Sequence, residues 1–403
     1  MKVAIVAPYP RSRDSHGEEG LGGVASYTRN LAQALLPHVS LRLLSPTDGP
    51  EGERADGPIV VQDVKREGRR VAEAVKALAE DPDLDAVHVQ FEQHLFGGMA
   101  QNLLLANALG RLKRAKRVVL TLHQVPDLGD VNRKFLKENG FPPLPSLARA
   151  WMRFQYRRLA ANSHQVVVHE AVLATRLKTQ YGVPASRVTV VPHGVERRAL
   201  PLSQEEAKAR LGVSGKKVVL YFGYVTGYKG VDLLVEALEG FPEERREGLA
   251  VVIAGKVPDR KLEKGSFRET VEDLEARIAG LGPWVSRKGF LSEADISLHL
   301  AAADVVLFPY RNVFGASGPL SLTVAHGRPF LASDAFRGLI PCERALFERT
   351  PAALRARLEA FLADAALRAE IQETSHRMRD EASWPRVAER TKACYAPEGG
   401  APA

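Results

Sequence analysis

Cysteine is scarce in this sequence of 403 residues, which contains only Cys342 and Cys394. Two thiols outside any Cys-x-x-Cys pair exclude a disulfide framework and a thiolate metal site, so we expect a reducing, cytoplasmic environment. Long hydrophobic runs are also missing, because no stretch approaches the ~20 apolar residues that a membrane span needs. The N-terminus has five apolar residues between Lys2 and Pro8, which predicts a first strand and not a signal peptide.

The length is too great for one ordinary core and predicts two domains of roughly 150 to 200 residues. With 45% hydrophobic and 26% charged residues, the chain is globular in composition. Its net charge of +8 favours anionic partners. Nucleic acid is not expected among them, because the sequence shows neither a groove-reading motif nor an aromatic platform.

Basic residues cluster at 65–70, 111–117 and 149–158. The last cluster, RAWMRFQYRR, alternates arginines with aromatic residues. One interpretation is a basic amphipathic helix that lies on an anionic membrane surface, with the protein peripheral to the inner face of the membrane. The other is a helix that packs its aromatic side on the core and exposes its arginines to solvent.

Strand and helix patterns alternate along almost the whole chain, which predicts doubly wound parallel sheets. The series restarts near Lys217 after a segment without apolar periodicity. We therefore expect an α/β protein with two Rossmann-like domains that face each other across a cleft. The predicted parts are a first domain at 1–196, a linker and short helix at 197–214, a second domain at 215–375, and at 376–403 a helix that returns to the first domain, followed by a disordered tail.

The stretch Val305–Asp334 combines a strand, a glycine-containing turn, a helix and a second strand. The apolar run ends at Pro309, and Ser317 with Pro319 forms a favourable helix start. A helix N-terminus at the carboxyl edge of a sheet offers free N–H groups to an anion, which points to a nucleoside diphosphate. An ordinary strand–helix–strand crossover with a capped helix is the alternative.

Acidic residues at Asp81, Asp83 and Asp85 superficially match a metal-binding Asp-x-Asp pattern. They precede a strand in a turn-like context, so we interpret them as a loop.

Several short motifs occur together over nearly the whole chain. They are Gly22-Gly23 before a helix, Thr121-Leu122-His123, Val191-Pro192-His193-Gly194-Val195, Phe222-Gly223 with Lys229-Gly230-Val231-Asp232-Leu233-Leu234, Ala302-Ala303-Asp304, and Ala325-His326-Gly327-Arg328-Pro329. In these motifs the chain resembles the retaining nucleotide-sugar glycosyltransferases of the GT-B fold, the family 4-like group that includes bacterial mannosyltransferases and sucrose synthase. The resemblance implies transfer of a hexose-type sugar from a UDP- or GDP-sugar, with retention, to an acceptor that is anionic or a glycan or lipid precursor.

The resemblance also implies roles for individual residues. His123 would sit beside the transferred sugar, and Lys229 would neutralise the diphosphate leaving group. A strand-end histidine bonded within the protein is the alternative for His123. Other donor contacts would come from Gly22, Gly23, Ser317, Gly318 and Pro319 around the phosphates and from Phe290 and Leu291 at the base. Because these groups perform the task of a metal ion, neither a metal nor a cofactor is expected.

The sequence departs from the family pattern at three positions. Two glutamates that commonly bracket the turn are replaced by Phe314 and Leu322, and Tyr224 replaces an arginine. We therefore expect a branch that lacks the glutamate pair, with Lys256 and Arg311 supplying positive charge from the carboxyl ends of strands. A non-catalytic GT-B protein that binds a nucleotide-sugar or serves as a partner subunit is the alternative function.

Overall fold

The computed structural model describes residues 1–11, 22–138, 143–196, 202–257, 265–313 and 317–396. The chain divides into two units that each contain one sheet. The first unit takes in Met1–Gly194 and the end of the chain from Ala382 onward, and the second takes in Val195–Val313 and Ser317–Glu381. The phosphate-binding and base-binding residues predicted above lie in the second unit, apart from Gly22 and Gly23, and His123 lies in the first.

An eight-stranded sheet forms the centre of the first unit, in the order β3-β4-β2-β1-β5-β6-β7-β8. All neighbours are parallel except β3 and β4. Strands such as AVHVQF and QVVV are buried along their whole length, as expected for a sheet covered by helices on both faces. The strands are β1 (Lys2–Val6), β2 (Ser40–Thr47), β3 (Gly52–Asp56), β4 (Ile59–Lys65), β5 (Ala86–Phe91), β6 (Arg117–Leu122), β7 (Gln165–Val168) and β8 (Val188–Val190).

Helices connect these strands and cover the sheet. They are α1 (Gly22–Leu35), α2 (Arg70–Ala77), α3 (Met99–Leu112), α4 (Arg133–Glu138), α5 (Pro145–Ala161) and α6 (Ala171–Thr179). Asp81, Asp83 and Asp85 lie between α2 and β5, where the Asp81 carboxylate accepts a hydrogen bond from the Asp83 N–H at 3.1 Å. This arrangement agrees with their interpretation as a loop.

The antiparallel hairpin of β3 and β4 was not predicted from the sequence. Its two-residue turn is Gly57-Pro58, between the paired residues Asp56 and Ile59. Gly57 has a φ of 61°, a conformation that suits glycine. The buried Asp63 carboxylate accepts a hydrogen bond from Arg54 Nε at 2.8 Å and holds the short charged strand β3 on β4.

The second unit has a parallel sheet of six strands in the order β11-β10-β9-β12-β13-β14. The strands are β9 (Lys217–Phe222), β10 (Leu249–Ala254), β11 (Val285–Lys288), β12 (Val305–Phe308), β13 (Phe330–Ser333) and β14 (Leu346–Phe347). The helices are α7 (Gln204–Arg210), α8 (Val231–Glu239), α9 (Glu243–Arg246), α10 (Gly265–Gly280), α11 (Glu293–Ala302), α12 (Gly318–Ala325), α13 (Pro351–Ala363) and α14 (Ala365–Glu381). Two parallel, doubly wound sheets confirm the predicted fold class.

The last helix, α15 (Trp384–Ala393), belongs to the first unit and packs on α1. Its Trp384 ring lies 5.3 Å from the ring of Tyr27. A Cβ atom added to Gly194 would lie 2.4 Å from the same indole. Gly194 is therefore required by close packing against Trp384.

Candidate functional site

A pocket of about 250 Å³ opens in the second unit, where β9 and β10 end and α12 begins. The carboxyl ends of parallel strands and a helix N-terminus are the usual position of ligands in such sheets. Seven of the predicted residues line this pocket: Tyr224, Lys229, Lys256, Phe290, Leu291, Gly318 and Pro319. The structure thus brings together residues that are almost one hundred positions apart in the sequence.

Lys229 provides a buried ammonium group in this pocket, with only 7% of the residue exposed. Its Nζ donates a hydrogen bond to the Tyr310 hydroxyl at 2.8 Å and lies 4.6 Å from the centre of the Tyr310 ring. Burial lowers the pKa of Lys229 to about 8. Among the described residues, no carboxylate forms an ion pair with this ammonium group. Burying a cation without a counter-charge is unfavourable, so the site is prepared for an anion.

Tyr310 links Lys229 to the start of α12. The Tyr310 hydroxyl lies 3.3 Å from Ser317 Oγ, and Ser317 Oγ caps the helix by accepting a hydrogen bond from the Leu320 N–H at 3.4 Å. The ammonium group and the positive end of the helix dipole are therefore held side by side. Sequence reasoning missed Tyr310, although its position two residues after β12 marks the carboxyl edge of the sheet.

Two glycines allow the ends of β9 and β10 to approach each other closely. Gly223 and Gly255 have φ angles of 139° and 141°. A Cβ atom on Gly255 would lie 1.7 Å from the Gly223 carbonyl oxygen, so no other residue fits there. At Gly223, a Cβ atom would lie 3.4 Å from Lys229 Nζ, in the space through which a ligand reaches the ammonium group.

The two cations proposed to replace missing charge have different surroundings. Lys256 lines the pocket. Arg311 is not among its lining residues, and its guanidinium group donates to the Asp232 carboxylate at 2.6 Å. The structure therefore brings Lys256 to the pocket but not Arg311.

Part of the pocket wall is apolar and includes Phe290, Leu291, Ile296 and Leu322. Phe290 is 73% exposed, so its ring is available to stack on a planar group. Leu322 lies in α12 and offers no hydrogen-bonding group to a sugar hydroxyl. Phe314 lies outside the described residues.

His123 follows β6 in the first unit and is buried. Its Nε2 lies 2.8 Å from Gln90 Oε1, and its Nδ1 lies 3.3 Å from His169 Nε2. Burial holds the pKa of His123 well below its usual range, so the ring is neutral at pH 7. Both ring nitrogens are thus engaged inside the unit, as in the alternative interpretation of this histidine.

The hydrogen-bond network fixes which nitrogen of each ring carries the proton. His169 Nδ1 must donate to the Val191 carbonyl at 3.0 Å, because a carbonyl oxygen only accepts. Burial lowers the pKa of His169 to about 3, so its Nε2 is an acceptor and His123 Nδ1 is the donor. His123 Nε2 then accepts, which requires Gln90 to turn its amide NH₂ toward it. A ligand can form a hydrogen bond with a ring nitrogen of His123 only if Gln90 or His169 moves away.

Gly22 and Gly23 are the first two residues of α1. A Cβ atom on Gly23 would meet no atom within 4 Å, so packing does not explain the second glycine. The loop that precedes them lies outside the described residues.

Among the described residues, no group of three or more acidic, histidine or cysteine side chains is placed to hold a metal ion. No helix in the same part of the chain is both long and apolar enough to cross a membrane.

Comparison with known families agrees with the division of the chain into two units. Residues 21–198 match the sequence model described as Glycosyltransferase Family 4. Residues 216–364 match the one described as Glycosyl transferases group 1. Together the matches take in about four fifths of the chain.

Two relatives share part of the sequence. The D-inositol 3-phosphate glycosyltransferase of Geodermatophilus obscurus is 32% identical over 253 residues, which are 59% of this chain and 53% of that protein. The lipopolysaccharide glucosyltransferase WaaG of Escherichia coli K12 is 27% identical over 40% of this chain and 44% of that protein. This chain therefore spans about half the length of these relatives.

Solved structures resemble the whole chain. Anabaena Alr3699/HepE in complex with UDP superposes with a TM-score of 0.71 at 16% identity and covers 98% of this chain and 99% of its own. Sucrose-phosphate synthase from Thermosynechococcus elongatus gives 0.71 at 17% identity and 98% coverage of both chains. These likenesses show the fold, and the two family matches show the relationship: the chain belongs to the family 4 glycosyltransferases of the GT-B fold.

Proposed function

We propose that this protein is a retaining glycosyltransferase that moves a hexose-type sugar from a UDP- or GDP-sugar to an acceptor that is anionic or a glycan or lipid precursor. The observation that carries this proposal is the buried ammonium group of Lys229, which has no carboxylate beside it among the described residues. A nucleoside diphosphate supplies the missing negative charge. The fold and the family matches favour a sugar-linked diphosphate over other anions.

In this proposal the second unit stabilises the departing diphosphate. The bond between the anomeric carbon and the β-phosphate oxygen breaks, and the acceptor hydroxyl forms the new bond while its proton passes to the leaving phosphate. Negative charge then grows on the diphosphate next to Lys229 and Lys256 and in front of the N-terminus of α12. Fixed positive groups at that point lower the barrier, as a metal ion does in other enzymes.

The apolar wall of the pocket suits the nucleobase. Phe290 and Leu291 offer apolar contacts and stacking to any planar base, so the wall by itself does not select between uracil and guanine. HepE is described in complex with UDP and with UDP-glucose, and UDP is therefore the first nucleotide to test.

We also propose a branch without the usual glutamate pair, in which Leu322 contributes no hydrogen bond to the ribose.

The buried state of His123 favours a second candidate, a non-catalytic protein that binds the nucleotide-sugar or serves as a partner subunit. If Gln90 and His169 keep both ring nitrogens engaged when ligand is bound, the ring nitrogens form no hydrogen bond with the sugar. Binding without turnover would then be the outcome. Gln90→Leu removes one partner of His123 and leaves the second unit unchanged, so it tests whether this network matters for turnover.

A thermal-shift screen with UDP-, GDP- and ADP-sugars tests the proposal, because a ligand that binds only the folded chain raises its melting temperature. We expect a UDP- or GDP-sugar to raise it and Lys229→Ala to reduce the shift. Lys178→Ala, which removes an exposed lysine on α6, is the matched control. Release of nucleotide from the nucleotide-sugar that stabilises the chain is then measured. An enzyme catalyses this release, whereas a binding protein does not. If no nucleotide-sugar stabilises the native chain, the enzyme and the nucleotide-sugar-binding protein are both wrong, and only the partner subunit is left.

A further inference from the structure

Helix α5 (Pro145–Ala161) has one side that packs on the core of the first unit. Met152, Tyr156 and Leu159 lie on this side and are buried. Tyr156 also donates a hydrogen bond to the Gln124 carbonyl at 3.0 Å. Of the three aromatic residues in RAWMRFQYRR, Tyr156 therefore packs inward, as expected for a core-facing helix.

The exposed side of α5 carries large apolar residues among its arginines. Leu144, Leu147 and Phe154 are 53%, 65% and 45% exposed. Leu147 and Phe154 are seven positions apart, and Leu144 precedes them by one turn, so the three side chains follow one face of the helix. Trp151 lies between them and its ring is 5.8 Å from that of Phe154. We call these four residues the α5 face. Large side chains along one face of a surface helix, rather than scattered singly, indicate an interaction site.

The charged residues of α5 itself all have one sign. The helix contains four arginines and no acidic residue. Each guanidinium group donates to a neutral acceptor: Arg149 to the Val131 carbonyl, Arg153 to the Gln180 carbonyl, Arg157 to the Tyr181 carbonyl and Arg158 to the Asn107 side-chain oxygen. These hydrogen bonds fix the arginines beside the α5 face without neutralising their charge.

We propose that the α5 face docks on the surface of an anionic lipid bilayer. Leucine and aromatic side chains enter the boundary between headgroups and acyl chains, while neighbouring arginines bind lipid phosphates. This combination of apolar and cationic groups on one exposed helix fits a negatively charged membrane surface. It does not depend on the proposed function of the second unit, because every residue of the α5 face lies in the first unit.

A second copy of the chain is a poorer occupant. Half-exposed side chains of this size present on the order of 100 Å² each, so the α5 face offers far less than the ~800 Å² per partner of a standard protein interface. Four arginines on each copy would also repel one another across a symmetric contact.

Sedimentation with lipid vesicles tests the proposal on the full-length protein. We expect binding to vesicles of phosphatidylcholine with about one third phosphatidylglycerol, and at least tenfold weaker binding to pure phosphatidylcholine or in high salt. Leu147→Ser combined with Phe154→Ser should reduce binding to the anionic vesicles at least tenfold. Val60→Ser, which removes an exposed apolar side chain on β4, should leave it unchanged. Circular dichroism checks that each variant is folded.

Three results would overturn the proposal. One is an absence of binding to anionic vesicles, and another is binding that the double variant retains while folded. The third is a dimer of the native protein in light scattering that the double variant dissociates, since the α5 face would then be an interface between two copies. Phe154→Ser alone keeps the test decisive if the double variant fails to fold.

Discussion

Replacement of Lys229 by methionine should make the ligand-free protein more stable at pH 7. The pKa of Lys229 falls from its ordinary value of 10.5 to about 8 in the folded chain, and each unit is worth about 1.4 kcal/mol. Keeping the ammonium group charged in the pocket therefore costs about 3 kcal/mol at pH 7. Since the variant also loses the contacts with Tyr310, we expect a net gain in the free energy of unfolding of ~1 to 3 kcal/mol.

The pH dependence distinguishes this explanation from a general packing effect. A lysine with a lowered pKa binds fewer protons in the folded chain than in the unfolded chain, so stability rises as pH increases from about 8 to 10.5. Above that range the lysine is neutral in both states and its penalty is gone. The advantage of Lys229→Met should therefore shrink by about 3 kcal/mol between pH 7 and pH 11.

Urea denaturation of the ligand-free protein, followed by circular dichroism at both pH values, measures this difference. Lys178→Met, at an exposed position on α6, is the control and should change the free energy of unfolding by less than about 0.5 kcal/mol at either pH. If Lys229→Met is less stable than the native chain at pH 7, or if its advantage does not vary with pH, the ammonium group is not destabilised by burial and the basis of the anion site is wrong.

Three further predictions follow from the same contacts. The affinity for UDP, measured by calorimetry, should fall up to tenfold per pH unit above about pH 8 as Lys229 loses its proton; a flat profile would remove Lys229 from the binding site. Tyr310→Phe keeps the ring but loses the hydroxyl that accepts a hydrogen bond from Lys229. The midpoint of this pH profile should therefore move to lower pH. An unmoved midpoint would show that Tyr310 does not affect the pKa of Lys229. Gly194→Ala places a Cβ atom against Trp384 and should lower the free energy of unfolding by ~1 to 3 kcal/mol. Gly248→Ala, at a position in open space, should not lower it. Equal effects of the two substitutions would contradict the requirement for glycine against Trp384.

The sequence was sufficient to predict elements with a strong local pattern. Buried strands such as β10 and β12 are runs of β-branched and apolar residues, and Ser317 with Pro319 predicted the start of α12. The hairpin of β3 and β4 was missed because β3 is short and charged and depends on the contact between Arg54 and Asp63. Such a contact between two side chains leaves no periodic signal in the sequence.

Within the candidate site, the sequence predicted which residues meet but not how they interact. The resemblance identified Lys229, whereas its partner Tyr310 is visible only in the folded chain, 81 positions later. Arg311 has the right position along the sequence, yet its side chain turns to Asp232. For His123, the tautomers set by Gln90, His169 and Val191 are properties of three-dimensional contacts. Side-chain direction and hydrogen-bond networks therefore require the structure.

Turnover of the donor sugar by Lys229→Ala tests the central claim most directly. Once the thermal-shift screen has identified the donor, the rate of nucleotide release at saturating donor is measured for the native chain and for this variant. Removal of one group that stabilises transition-state charge typically lowers kcat by about two to three orders of magnitude, and we expect a loss of at least 100-fold. An unchanged kcat in the folded variant would contradict the assignment of Lys229 to the leaving diphosphate.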